Sequence, residues 1–279
     1  VILDRIRLSS YITTDLKIKN ALPDDPYLLK AVDGLGPPPV DVYISQTLTQ
    51  GGVYKGRRPQ NREITFRIGL NPDHAASQSA SDLRTALYSM LAPNIGDYVF
   101  IKLMTSSSVV HSQIYGYVKT FEINQFTADP EVAITIACVD PYFSAPEKVV
   151  GLPTAKAAFM VTNVGNAPTG LYMELTFTAN RSGIEIALVQ PFTAIDKLSV
   201  KSTYEFKSGD KLLLNTIPGQ RYIHVIRNSD GKNINIINTM TANSDWIMLP
   251  GGSANNDFTV DTTAFNWNKF EYTPQYWGI

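Results

Sequence analysis

Two stretches either side of a short turn, Ile114–Phe121 and Glu131–Cys138, constrain this chain more than any others. In the second, Val132, Ile134, Ile136 and Cys138 take one face, and Glu131, Ala133, Thr135 and Ala137 the other. That period of two is the pattern of a strand buried on one side. In the first, Tyr115, Tyr117 and Lys119 oppose Ile114, Val118 and, past a slip, Phe121. Asp140-Pro141 then halts the pair, because proline cannot donate to a sheet ladder and turns the residue before it away from helix. Beyond Pro146 the texture of the chain changes, so the pair closes one β-domain and leads to the next.

Upstream, Ile2–Leu8 and Tyr27–Val32 alternate as strands, separated by a turn at Pro23, Asp24, Asp25 and Pro26. Asp33-Gly34-Leu35-Gly36 runs into Pro37, Pro38 and Pro39. No helix follows those glycines, so they are not a nucleotide loop. Val40–Leu48 alternates again. Thr49–Asn61 is polar, glycine-containing and basic, and is expected to be a loop, of a length that is usually functional or disordered. Ile64, Phe66, Ile68 and Leu70 mark the next strand. A single helix is expected after Ser79, where Ser79-x-x-Asp82 resembles a capping box. Its stripe of Leu83, Leu87, Met90 and Leu91 is core packing, and Pro93 ends it. Tyr98–Met104 forms a strand and Thr105–Ser108 a polar tip.

Ser144–Ala158, with Pro146, Gly151 and Pro153, has the composition of an inter-domain linker. The expected domains are residues 1–147 and 148–279. In the second, short strands are predicted at Phe159–Thr162, Leu171–Ala179, Gly183–Val189, Lys197–Lys201, Glu205–Phe206, Lys211–Asn215 and Tyr222–Ile226. Others follow at Asn233–Asn238, Trp246–Met248, Asp257–Val260 and Lys269–Tyr272, with tight turns at Gly209-Asp210 and Asp230-Gly231. Many short strands without a helix indicate a β-sandwich of jelly-roll type. The fold class is therefore mainly β.

The chemistry that would signal an enzyme is missing. His74, His111 and His224 are scattered, and no metal-ligand spacing, nucleophile elbow or phosphate loop occurs. No catalytic, cofactor or metal site is expected. His224, between Ile223 and Val225, suits an outward strand position. Cys138, the one cysteine, suits a small buried hydrophobe and excludes an intrachain disulfide. No apolar run approaches a membrane span, and no signal peptide is visible. The formal net charge of −1 supplies no field that would draw nucleic acid or anionic lipid. Charged residues make up only 18% of the chain, as in β-rich proteins or in proteins whose surface is hidden in an assembly.

Two groups of residues remain as binding candidates. Trp246, Trp267 and Trp277, with Tyr272 and Tyr276, gather towards the C-terminal end, where aromatic faces either anchor a core or stack on sugar rings. Gly51, Gly52, Tyr54, Arg57, Arg58 and Arg62 belong to the basic segment. From Gln50 to Glu63 its charges are Lys55, Arg57, Arg58 and Arg62 against Glu63. Arginine there suits a protein interface, where its planar fork meets carboxylates or carbonyls.

Taken in order, several motifs resemble those of the distal tail (Dit) proteins of long-tailed, non-contractile bacteriophages. They are the Gly51-Gly52 segment leading into Arg62-Glu63-Ile64-Thr65-Phe66, the single helix, and Asp140-Pro141-Tyr142-Phe143. Val161–Thr169, Ser208–Leu212, Asp245–Gly252 and Tyr272–Ile279 follow. The resemblance implies a tail-tube-like β-barrel or sandwich, assembled into a six-fold ring around the DNA channel, and an outer galectin-like or carbohydrate-module-like sandwich. It implies a homo-hexamer in the virion tail tip joining the tail-tube protein to the tip hub protein, carrying receptor-binding proteins, with DNA only as passing cargo and no membrane insertion. The basic segment would then be the subunit interface. A monomeric carbohydrate-binding protein on the same sandwich is the alternative, although a galectin-type histidine and arginine cluster is not recognisable.

Overall fold

The computed structural model describes the chain except residues 1–2, 11–15, 20–24, 47–50, 74–77, 92–97, 106–109, 125–128, 154–156, 190–195 and 253–254. For residues 3–7, 9–10, 16–19, 105, 110 and 255 only the backbone is described. Pro23 and Asp24, Thr49 and Gln50, His74, Pro93 and residues 106–108 therefore lie outside the described residues. The chain divides into two compact units, Val1–Pro146 with Tyr276–Ile279, and Glu147–Gln275. The division differs from a cut into 1–147 and 148–279, because the last four residues belong to the first unit.

The first unit contains β1 (Leu3–Ser10), β2 (Leu16–Lys19), β3 (Tyr27–Asp33), β4 (Val40–Gln46), β5 (Gly52–Pro59) and β6 (Arg62–Leu70). Then come α1 (Ala80–Leu91), β7 (Val99–Thr105), β8 (Val110–Asn124), β9 (Glu131–Cys138) and β10 (Phe143–Ser144). A nine-stranded sheet runs β22-β10-β8-β7-β1-β2-β3-β6-β9, where β22 is Gln275–Tyr276. The fifteen-residue β8 is its corner. Its first half pairs with β7, from Val99 opposite Gly116, and its second half pairs with β9, from Gly116 opposite Cys138. The slip expected before Phe121 is a bulge between Val118 and Thr120, which re-aims the strand. Ile64, Phe66 and Ile68 of β6 and Val132, Ile134 and Ile136 of β9 are fully buried together.

Helix α1 starts where the capping signal places it. The Asp82 amide donates to Ser79 Oγ at 3.2 Å, and the Ser79 hydroxyl donates to the Asp82 carboxylate at 2.7 Å. Aspartate is one methylene shorter than glutamate, so it meets the cap's hydroxyl. Leu83, Leu87 and Leu91 are buried in the same core, and the Tyr27 hydroxyl donates to the Leu83 carbonyl at 2.9 Å.

The second unit is a sandwich of two sheets. One is β11-β21-β13-β16-β17-β18 with β19 on β13, the other β12-β20-β14-β15. Its strands are β11 (Val149–Val150), β12 (Ala158–Thr162), β13 (Thr169–Phe177), β14 (Arg181–Val189), β15 (Asp196–Phe206) and β16 (Lys211–Asn215). They continue with β17 (Tyr222–Ile226), β18 (Asn233–Asn235), β19 (Met248–Leu249), β20 (Asn255–Val260) and β21 (Phe265–Tyr272). The two strands expected at 197–201 and 205–206 are one, β15, and residues 237–239 form a 3-10 turn instead of extending β18. β11 lies inside the expected linker, with Val149 opposite Tyr272. Alternate residues of both sheets fill the core, where Phe177 stacks on Phe206 at 4.4 Å between ring centroids. Phe206→Ala should cost about 3–5 kcal/mol. Calorimetry should show one transition falling, that of Glu147–Gln275, with the first unit's transition unmoved.

Candidate subunit interface

Beyond its main sheet the first unit carries a separate two-stranded ribbon, β4 with β5. The segment expected as a loop is thus largely a strand. A register shift between Tyr43 and Ile44 leaves Lys55 as an extra residue on β5. The bulge, together with glycines at 52 and 56, breaks the period of two that would have betrayed the strand. Residues directly opposite in an antiparallel pair share a face. One face of the ribbon therefore carries Val40, Val42, Ile44, Tyr54 and Arg57, the other Asp41, Tyr43, Val53 and Arg58.

Ile44 is 62% exposed and Tyr54 59%, and Val42, Tyr43 and Val53 are exposed too. An isolated two-stranded ribbon is marginal in water, and clustered large apolar side chains in solvent mark a contact surface. Arg57 and Arg58 are exposed on the same arm, and Gly51, just before β5, has a φ of 106°. Val42, Tyr43, Ile44 and Val53 were missed as interface candidates. The apolar alternation of 40–48 beside a basic segment was the available signal.

Arg62 behaves differently from the other residues of the basic segment. It is 2% exposed, so it cannot face a neighbour. Its Nε donates to the Pro141 carbonyl at 2.9 Å, and its remaining nitrogens donate to the carbonyls of Gly34, Gly36 and Trp277. The guanidinium lies 4.4 Å from the centroid of the Phe143 ring, within cation–π range. The arginine expected at the subunit interface instead fastens the root of the arm. Beside it, the Gln60 amide donates to the Pro39 carbonyl at 2.8 Å, and Gln60 Nε2 donates to Asp41 at 2.6 Å.

Burial lowers the pKa of Arg62, with Cys138 and Asp140 pulling the other way. The guanidinium stays charged, as it does throughout proteins. Burial raises the Asp140 carboxyl, against a hydrogen bond from the Tyr142 amide and the charge of Arg62. Burial also pushes the Cys138 thiol up to about 12, so its thiolate is scarce and the side chain acts as packing.

The three tryptophans are divided between the two units. Trp267 lies edge-on to Phe159, Phe265 and Phe270 and packs against the sandwich core. Trp246 packs on that core with the Arg221 guanidinium 5.5 Å from its ring. Trp277 belongs to the first unit, edge-on to Tyr142 at 4.9 Å. His224 is half-buried and stacked on Tyr222. Among the described residues no group of three or more metal-ligating side chains occurs, and no helix is long and apolar enough to cross a membrane.

Residues 164–276 match the family model of the siphovirus-type tail component, C-terminal domain. The chain is similar to the crystal structure of the Dit protein of phage SPP1, described as a paradigm of the hub adsorption apparatus in phages infecting Gram-positive bacteria. The TM-score is 0.63 at 19% identity, over 97% of this chain and 98% of that one. The chain as a whole shares the fold of that Dit protein, and its second unit carries the siphovirus-type tail component domain. Two structures of the phage p2 baseplate in its activated conformation align over 98% and 99% of the chain, at 10% and 9% identity. Their TM-scores are only 0.41 and 0.42, and they carry no argument. No curated protein matches. The family model and the structural match both point to phage tail components.

Two measurements check the root. Arg62→Ala should destabilise the first unit by about 3–5 kcal/mol, because it leaves several buried carbonyls without donors. Arg62→Lys should recover only part, since an ammonium lacks the planar fork; a wild-type melting temperature in either variant contradicts the assignment. Cys138 should resist a thiol reagent at about pH 8 in the native protein and react once unfolded. Native labelling as fast as in denaturant would show the site to be open.

Proposed function

We propose that this chain is a structural protein of the phage tail tip, of the Dit type, and that it forms a closed ring of like copies, in which the arm of each copy packs on the next. The exposed apolar arm, separate from the main sheet, is the observation that carries this reading. Head-to-tail contacts close into a ring when the rotation per copy divides a full turn, and six copies would match the symmetry expected from the family resemblance. The ring would act as an adaptor between the tail tube and the tip hub, with the second unit offered to host-recognition proteins. Such a role needs no turnover.

Magnitudes suggest how the ring is held. Three half-exposed residues on one face, Val42, Ile44 and Tyr54, would contribute about 1 kcal/mol each on burial, a few kcal/mol per junction. Association costs on the order of 4–15 kcal/mol in lost freedom, so a single junction is weak. The final junction is intramolecular and gains from effective concentration. Assembly should therefore be all-or-none and helped by a docked partner. Arg57 and Arg58 would meet carbonyls or carboxylates of the neighbour. A conduit for DNA gains nothing from gripping its cargo through phosphate contacts.

Light scattering after size exclusion tests this at high protein concentration. The wild-type chain should give a ring, and Ile44→Asp with Tyr54→Asp a monomer with both melting transitions in place. A strictly monomeric wild-type protein at low salt would count against the ring. Arg57→Asp with Arg58→Asp should weaken assembly without unfolding either unit. The native protein should show no salt-dependent DNA binding near physiological ionic strength, and tight binding that falls steeply with salt would reassign the arginines.

A further inference from the structure

The root of the arm is assembled from segments far apart in sequence. Gly34 and Gly36 precede β4, Arg62 follows β5, and Tyr276–Ile279 come after the whole of the second unit. Gly34 has a φ of 90°, and a Cβ there would fall 2.0 Å from the Glu63 carbonyl oxygen. The loop backbone therefore lies directly on the start of β6, which only glycine permits. Gly278 also packs closely on this loop. A Cβ there would lie 2.9 Å from both the Gly36 carbonyl carbon and the Leu35 oxygen, and 3.1 Å from the Pro37 nitrogen.

The rest of the tail holds the same place. The Ile279 amide donates to the Leu35 carbonyl at 3.1 Å, and the Trp277 carbonyl accepts from Arg62. Tyr276 packs against the first unit's core. The loop that the tail covers continues into Pro37, Pro38 and Pro39 and then β4. Three prolines in a row are stiff, so the orientation of the root passes to the arm. Seven paired residues span about 23 Å. A tilt of about 10° at the root would move the tip by roughly 4 Å at that length, enough to miss a seat on a neighbour.

We propose that residues 276–279 are a latch that sets the direction of the arm, the latch acting through Arg62 and the Gly34–Gly36 turn. Its role in assembly rests on the ring reading above. The arm is synthesised before the second unit and the latch after it. An arm able to join a neighbour is thus completed only when the chain has returned from the sandwich, and premature joining of unfinished chains is disfavoured.

Amide hydrogen exchange on the full-length variants Gly278→Ala, Gly278→Val and Trp277→Ala tests this, with light scattering alongside. Amides at the root end of the arm, residues 40–42 and 57–58, should exchange about tenfold faster in Gly278→Val. The amides of β6 and β9 should keep their protection, and the ring should weaken in step with the arm. Ile44→Asp serves as the contrast, losing the ring while root exchange stays native. Unchanged root exchange in Gly278→Val overturns the latch. Equal loss of protection in β6 and β9 also overturns it, because the tail would then be an ordinary part of the core. If the wild-type chain forms no ring, the ring reading falls alone, and root exchange still decides the latch.

Discussion

A guanidinium removed from water must be surrounded by acceptors, and the architecture of the first unit around Arg62 follows from that requirement. Carbonyls from Gly34, Gly36, Pro141 and Trp277 supply the acceptors, and the Phe143 ring covers one face. They come from three separate segments, so satisfying one side chain fixes where β3 ends, where β9 turns and where the tail returns. The arrangement is polar yet needs no carboxylate in direct contact, because carbonyl dipoles do the neutralising. Breaking it is costly for the same reason that a half-satisfied buried network is worse than none.

The two units use the same alternation to different ends. In the sandwich, the inward residues of both sheets meet one another, and an aromatic cluster of Phe159, Phe258, Trp267 and Phe270 closes the core. Its apolar side chains are mostly spent within the unit. In the first unit the core of β6, β9 and α1 is equally dry, but β4 and β5 stand apart with Ile44 and Tyr54 in solvent. A ribbon of this kind stays long and apolar only where something covers it, because a bare apolar ribbon invites uncontrolled pairing. The proposed ring would supply such a cover.

Much of the fold was legible wherever a strand has one buried face. Glu131–Cys138, Lys211–Asn215 and Tyr222–Ile226 are strands at the bounds their alternation set, and the helix begins at the cap that Ser79 and Asp82 announce. The arm was only half legible. β4 alternates, but β5 is interrupted by a bulge and two glycines, and its apolar residues face solvent. Periodicity reports burial, and a ribbon whose apolar residues are exposed gives it little to report. The shortest strands, β10, β11 and β22, are two residues each, too short for any period to register.

By itself, the sequence determined the class of fold, the apolar faces of its strands, the helix and its cap, and the buried position of Cys138. Those properties depend on neighbours a few residues away or on the simple division between water and core. Tertiary structure alone decided that Arg62 turns inward while Arg57 and Arg58 stay out, that Trp246 and Trp267 pack on the sandwich core, and that the last four residues return to the first unit. Those outcomes depend on which distant carbonyls and rings come within reach of a side chain. Arg57, Arg58 and Arg62 are chemically alike, and only the carbonyls of Gly34, Gly36, Pro141 and Trp277 make one of them part of the core.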